Sequence, residues 1–211
     1  VNIFTIQSEV ASAIADALQA TLTPAEEARV AAVATRNLEA WETYQRGMQH
    51  MAKRSTAALA DAEILFRKAI DLDATFTLAY IGLADTLTLQ TQNSAHGREA
   101  KLAEAERLVT RALEFDANLA EAWTAAGLIA SSRMQLERSE QMFRRAIALN
   151  PNYAPAHHWL SFTLYDLGRR DEALAAAERA VVLDPLSAMI NFNLGLARMN
   201  VGRFSDAQAA F

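Results

Sequence analysis

The chain has 211 residues, 52% hydrophobic and 21% charged, so it can bury a core and is not a disordered polyelectrolyte. A net charge of −5 without a lysine- or arginine-rich block argues against a face that binds nucleic-acid phosphates, and the absence of cysteine excludes disulfides and thiol chemistry. Only 7 Gly and 4 Pro interrupt a composition led by Ala, Leu, Glu and Arg, which lose little side-chain freedom in a helix, so the expected fold class is all-α with short turns.

Residues 1–36 stand apart from the rest. Thr5 is placed to cap a helix whose apolar face is Ile6, Val10, Ala13, Ile14, Ala17 and Leu18. Thr23-Pro24-Ala25-Glu26 reads as a capping box with Pro at the first helical position, opening a second helix that runs to about Thr35. Two roles are open to this pair: a cap over the end of a helical array, or a linker from an upstream domain. No signal peptide or membrane-spanning apolar run is visible, so membrane insertion is not expected. The chain starts at Val1 without Met and stops at Phe211 inside a repeating unit, as expected of a piece of a longer protein.

From residue 37 onward the chain aligns with itself. Ala69-Ile70-Asp71-Leu72-Asp73-Ala74 superimposes on the segments beginning at Ala112, Ala146 and Ala180, and these alanines are 43, 34 and 34 residues apart. Thirty-four residues is the length of a helix–turn–helix repeat; the longer spacing predicts nine extra residues, expected in the polar stretch Thr91–Gly97. Each segment reads as a helix end. An apolar residue closes the core, Asp or Asn follows, and Pro or Ala starts the way into the next helix. Small residues recur in register seven positions before these alanines, at Ala62, Ala105, Ser139 and Ala173, with Ala207 in a partial fifth unit. The preceding helices carry Gly47, Ala84, Gly127, Ser161 and Gly195, and three positions before the alanines stand Phe66, Val109, Phe143 and Ala177, with Phe211 in the fifth unit. Small residues on facing helices let the two axes approach, and the bulky residue fills what is left. The units are 40–76, 77–119, 120–153, 154–187 and a partial 188–211.

Catalytic patterns are missing. The histidines are His50, His96, His157 and His158, with no pair at the i, i+4 spacing of a helical zinc site. His157 and His158 are adjacent and point about 100° apart on a helix, so they read as surface or groove residues. Gly195 and Gly202 are isolated, with no phosphate loop around them, and no Gly-x-Ser-x-Gly elbow occurs. Glutamates are expected on solvated faces with partners one turn away, such as Glu63 with Arg67. No metal and no cofactor is expected.

The repeat pattern resembles the tetratricopeptide-repeat (TPR) family, with Trp123, Gly127, Phe143, Ala146 and Pro151 the best match to its bulky, Gly, Phe, Ala and closing Pro positions. The resemblance covers residues 37–211 and implies a right-handed superhelical solenoid of four full helix–turn–helix units and a partial fifth. Ala74 and Ala117 depart from the closing Pro. Residues Phe4–Ala11, Asn37–Tyr44 and Thr77–Asp85 further resemble bacterial multidomain regulators in which such repeats follow a TolB-like domain, a class III adenylate or guanylate cyclase domain, or a winged-helix transcription regulator.

By the family resemblance the first helix of each pair lines a concave face, with the second, fifth, ninth and twelfth residues of each unit pointing into it. Unit one supplies Trp41, Tyr44, Met48 and Met51; unit two Leu78, Ile81, Asp85 and Thr88. Unit three supplies Glu121, Thr124, Leu128 and Ser131; unit four Pro155, His158, Phe162 and Tyr165; unit five Met189, Phe192, Leu196 and Met199. The Lys, Arg and Asn clamp with which some members hold a peptide carboxylate is absent from the matching positions. The candidate groove residues are Trp41, Tyr44, Met48, Ile81, Asp85, Leu128, His158, Phe162, Tyr165 and Phe192, an aromatic and methionine-rich set suited to an apolar helical segment of a protein or peptide partner. The alternative for each is burial between units. The expected function is a non-catalytic, cytoplasmic interaction scaffold. The alternative is a regulatory or homodimerising segment of a larger bacterial cyclase or regulator, a reading favoured by the uncovered apolar face of the fifth unit.

Overall fold

A computed structural model describes residues 9–10, 13–14, 34–93 and 97–208. Of the first expected helix, Glu9, Val10, Ala13 and Ile14 are helical and exposed. The rest of it, the Thr23–Glu26 capping box, His96 and Phe211 lie outside the described residues.

From residue 37 the described residues form helical pairs with no strand. The pairs are α1 (Leu38–Ala52) with α2 (Thr56–Leu72), α3 (Thr77–Asn93) with α4 (Arg98–Phe115), α5 (Ala120–Ser132) with α6 (Leu136–Leu149) and α7 (Ala154–Asp166) with α8 (Arg170–Leu183), followed by α9 (Ala188–Asn200) and the short α10 (Phe204–Gln208). This is the expected all-α tetratricopeptide-like arrangement. Each helix packs on the one before and the one after it. The backbones of successive first helices also approach one another (α1 with α3, α3 with α5, α5 with α7, α7 with α9), whereas successive second helices among the described residues stand further apart and meet through long side chains such as Arg67 and Glu104. Helices that crowd together line the inside of a curve, so the first helices form the concave face.

The nine extra residues of unit two are not a simple loop. Helix α3 has 17 residues against 13 in α5, α7 and α9, and α4 has 18 against 14 in α6 and α8, so each gains about one turn. Thr91 and Gln92, expected in a polar insertion, are helical. The longer α3 is held by Gln90, whose amide donates to the Leu59 carbonyl (3.2 Å) and to Glu63 (2.9 Å) while its oxygen accepts from Lys101 (2.7 Å). Thr86, Thr88 and Thr91 turn their hydroxyls back onto carbonyls of their own helix, so these polar residues are buried with partners.

The turns between units follow a common chemistry. Asp73, Asp116 and Asn150 each accept, through the side chain, the backbone N–H two residues on (2.9, 2.8 and 3.1 Å), which closes the chain after α2, α4 and α6. The fourth residue of the next unit then donates to the carbonyl six residues upstream: Tyr80 to Ala74 (3.0 Å), Trp123 to Ala117 (2.9 Å), His157 to Pro151 (3.0 Å) and Asn191 to Pro185 (2.9 Å). A carbonyl can only accept, so the His157 Nε2 carries the proton. At the start of the array, Asn37 caps α1 by accepting from Ala40 and donates to the Leu72 carbonyl (2.9 Å), tying the first helix to the end of the second.

The core follows the register of small and bulky residues. Phe66, Phe143, Ala62, Ala69, Ala84, Ala105, Ala112, Ser139 and Ala146 are wholly buried. A Cβ on Gly127 would stand 2.5 Å from the Phe143 ring, and one on Gly47 would stand 2.8 Å from the Phe66 ring. Gly82, which the repeat pattern did not single out, meets the other side of Phe66: a Cβ there would be 2.6 Å away, so this glycine sets the spacing between units one and two. Ser139 occupies an alanine position and satisfies its hydroxyl on the Gly127 carbonyl (2.9 Å) and Thr163 (3.1 Å). The expected Glu63–Arg67 pair forms at 2.8 Å, and Arg67 also reaches Glu104 of the next unit at 2.9 Å. Such exposed pairs add little, about 0–1 kcal/mol each.

Gly127→Ala tests the close approach. Helix propensity alone favours Ala by about 1 kcal/mol, but overpacking against a buried ring costs about 1–3 kcal/mol. The expected result in urea denaturation is a net loss of stability. Combined with Phe143→Leu, which frees the space, the pair should cost less than the sum of the two single changes; strict additivity would sink the contact as the source of the effect.

Candidate functional site

The concave face divides into a filled part and an open part. In units one to three the expected groove residues are largely packed by their neighbours. Trp41 stacks on Tyr44 (centroids 5.7 Å apart), and Tyr44 in turn packs on Phe66 (5.7 Å) and Phe76 (5.1 Å). Tyr44 and Met48 lie against the main core cluster, and Ile81 is inside it, 5% exposed. Leu128 is buried with Leu59 and Leu89 in a cluster that Met51 and Trp159 cover. His158 is buried, not on the surface: its ring packs edge-on to Trp159 (4.9 Å) and Phe162 (5.3 Å) and faces the Asn193 amide of the next unit. These side chains form the floor of the groove rather than free contact surface.

In units four and five several groove residues are exposed, His158 apart. Tyr165 is 41% exposed, Met189 45%, Phe192 49% and Met199 43%. Two hollows adjoin here. One, of about 500 Å³, has Leu59, Leu89 and Leu128 in its floor, Trp159, Phe162 and Met189 in its wall, and Arg54, Arg98 and Met134 at its margin. The other, of about 320 Å³, lies between α7 and α9 and is lined by Tyr165, Asn193 and Leu196. Phe162 borders both. Beneath it, Asn193 donates to Ser161 (2.6 Å), whose hydroxyl donates to the His158 carbonyl (2.8 Å), a buried polar link that fixes α9 on α7.

Sequence reasoning did not pick out Arg54, Arg98 or Trp159. A signal for the first was available. Arg54, Met134, Gly168 and Gly202 fall at the same place in units one, three, four and five, and all have left-handed backbone, with φ of 56°, 59°, 78° and 80°. Glycine fills that turn in two of these units; Arg54 and Met134 adopt the same conformation with long side chains, and both border the 500 Å³ hollow. The Arg54 guanidinium lies 5.7 Å from the centre of the Trp159 ring, joining unit one to unit four across the groove.

The titratable groups of the concave face are strongly perturbed. Burial pushes the Asp85 carboxyl up to about 7, against the opposing pull of Arg54. Burial also raises the Tyr44 and Tyr153 phenols, with the charges of Asp85 and Glu121 adding to the effect. The His158 imidazole is lowered to about 4, by burial first and then by Arg54, and is therefore neutral near pH 7. Among the described residues no group of three or more His, Cys, Asp or Glu side chains could hold a metal ion, and no helix is long and apolar enough to cross a membrane.

Comparisons with known proteins agree with this geometry. Residues 120–153 and 154–187 each match the tetratricopeptide repeat family, so units three and four are tetratricopeptide repeats. The chain is 30% identical over 81 residues to the peroxisomal targeting signal receptor of Candida glabrata, covering 38% of this chain and 14% of that protein. It is 38% identical over 63 residues to the cell division cycle protein 27 homolog B of Arabidopsis thaliana, covering 30% of this chain and 8% of that protein. The chain thus spans a small part of these relatives. In solved structures it resembles a thermophilic TPR protein of Thermus thermophilus, with a TM-score of 0.65 and 19% identity over 81% of this chain and 87% of that one, a likeness of fold.

Asp85→Asn reads the electrostatics of the concave face directly. A carboxyl raised from its ordinary value to about 7 gives the fold its full stability only below the unfolded value, near pH 4, and that stability is lost as pH rises toward 7. Asp85→Asn should therefore stabilise the chain above pH 7, by on the order of 2 kcal/mol, and give no gain at pH 4. His158 runs the other way: its contribution is present above about 6.5 and is lost as pH falls toward 4. Thermal melts of wild type, Asp85→Asn and His158→Gln at pH 4, 6 and 8 check both signs.

Proposed function

We propose that this chain of tetratricopeptide repeats is a non-catalytic interaction scaffold that takes an apolar, helical segment of a partner protein in the open half of its concave face. The observation that carries the reading is the set of exposed apolar side chains of units four and five, Tyr165, Met189, Phe192 and Met199, of which Tyr165 and Met189 line the two hollows with Phe162, on a face whose floor is otherwise packed. Single exposed apolar residues are ordinary, whereas a contiguous patch bordering two hollows is the feature of an interaction site. Methionines at its edges adapt to differing partner shapes, and a concave apolar face suits the apolar side of a docked helix. The alignment with a protein named as a targeting-signal receptor supports the recognition of a protein segment, and this chain shares only a small part of that receptor. The cytoplasm is the proposed location.

A second reading rests on the same exposed residues of α9. Met189, Phe192 and Met199 could pair with a second copy of the chain, which would make it the regulatory, self-associating segment of a larger bacterial cyclase or winged-helix regulator, as the resemblance of Asn37–Tyr44 and Thr77–Asp85 to that group implies. Light scattering across a range of concentrations separates the two readings, since self-association leaves little open apolar surface for a foreign segment.

Phe162→Ala is the decisive substitution. A fluorescent amphipathic helical peptide with a leucine-rich face should bind the wild type, and Phe162→Ala should weaken it about tenfold, the loss of one central aromatic contact. The melting temperature should change little, because Phe162 is only partly buried. A large drop in melting temperature with unchanged affinity for the peptide would instead assign Phe162 to the core.

A further inference from the structure

An apolar groove alone does not fix the polar chemistry of its partner. The margin of the 500 Å³ hollow defines it. Its lining includes two arginines, Arg54 and Arg98, and no Asp or Glu, in a chain whose net charge is −5. Among the described residues no carboxylate lies within ion-pairing distance of either guanidinium, a state they share with arginines such as Arg46 and Arg145, whereas Arg67, Arg133, Arg144 and Arg169 are each paired with glutamate; what sets Arg54 and Arg98 apart is that both border the same apolar hollow. Arg98 is held by the backbone carbonyls of Thr91 and Ser132, which fixes its position without neutralising it. Arg54 stands over Trp159, and Asp85 acts on it from beyond ion-pair range.

The backbone adds a second observation, independent of charge. Arg54 and Met134 are the two described non-glycine residues with positive φ. Both border this hollow, while Gly168 and Gly202 relieve the same turn where no hollow of this kind is bordered. Left-handed backbone is unfavourable for a long side chain, and such strain persists where the side chain is used. A glycine at position 54 would remove both the strain and the cation.

We propose that the hollow bordered by Arg54 and Arg98 reads a carboxylate on the docked segment: the partner helix carries an Asp or Glu at the edge of its apolar face, paired with these guanidinia while its apolar residues enter between Trp159, Phe162 and Met189. The inference rests on the groove-binding function proposed above and specifies its partner by charge. An arginine pair beside an apolar wall suits this role because a guanidinium presents a fixed fork of donors to a carboxylate and sheds water more readily than an ammonium. Asp85 and Glu121, which lie on the same concave face but do not line this hollow, give the opposing prediction: were they to dominate, a basic partner would be preferred.

The test uses three fluorescent amphipathic peptides of about five helical turns, identical except for one residue at the edge of the leucine face, which is Glu, Gln or Lys. Anisotropy titrations at low salt should rank them Glu, Gln, Lys, with about a tenfold preference for Glu over Lys that shrinks as salt is added. Arg54→Gly is expected to raise the melting temperature by relieving the turn and to remove most of the Glu preference, while Met134→Gly, which removes an apolar residue of the hollow and no charge, should raise the melting temperature and weaken all three peptides alike, keeping their order. Because Arg54→Gly is expected to fold at least as well as the wild type, loss of preference cannot be ascribed to unfolding. Equal binding of all three peptides, a preference for Lys, or an undiminished Glu preference in Arg54→Gly would overturn the carboxylate reading and leave the groove function standing. Failure of every peptide to bind wild type would overturn both.

Discussion

With no side chain at Gly127, helix α5 lies so close to the Phe143 ring of α6 that an added Cβ would be 2.5 Å from it, and unit one repeats the arrangement with Gly47 and Phe66. The ring cannot retreat, because it is wholly buried in a cluster with Leu160, Leu164 and Ala173 of the next unit. The separation of the two helices in a unit is thus fixed by a backbone meeting an aromatic edge. Gly82 extends the same constraint to the next unit by meeting Phe66 from the other side. Curvature accompanies this: the backbones of first helices approach one another as well as their partners, and those of second helices stand further apart. The concave face is a consequence of where the smallest residues stand.

That constraint explains what could be read from the amino-acid order. Alanine, glycine and phenylalanine at fixed positions are few in kind and repeat in register, so the period, the pairing and the all-α class were legible. The turns were only half legible. Asp73, Asp116 and Asn150 stand out as a common type, but the hydrogen bond that follows each turn is supplied by Tyr80, Trp123, His157 and Asn191. A phenol, an indole, an imidazole and an amide share nothing except a donor at the right reach, and comparison by residue type cannot see it. The place of the insertion in unit two was legible, but its helical form was not. Polar residues such as Thr91 and Gln92 look like loop, yet each threonine bonds back to its own helix and Gln90 ties the longer α3 to both neighbours.

The place of the candidate residues on the first helices was legible; their exposure was not. Counting along the first helices found Phe162, Tyr165 and Phe192, which line the open half, as readily as Ile81 and Leu128, which are closed over. The difference arises across the array: Trp159 of unit four covers Leu59 and Leu128 from units one and three, a contact between residues far apart in the chain. Arg54 escaped for the opposite reason. It lies in the turn after α1, outside the helical positions that point inward, and reaches the groove only because its backbone is left-handed.

Charge and strain on the concave face act together. Asp85 and His158 are both driven toward their neutral forms by burial, and Arg54 opposes the first shift and adds to the second. Between about pH 4 and 7 their contributions to stability run in opposite senses, so the array changes little in stability over a range where each group alone would change it. A half-buried cation with no ion-pair partner is costly by itself, and a non-glycine residue in left-handed backbone adds to that cost. Arg54 combines both at the margin of the open hollow, at a turn where units four and five use glycine. Neither the packing of α1 on α2 nor the Phe66 contact requires an arginine there. Within the chain Arg54 is engaged by the Trp159 ring, which leaves its charge unneutralised, and a carboxylate beside an apolar surface is the chemistry that turns the cost of an unpaired guanidinium into affinity.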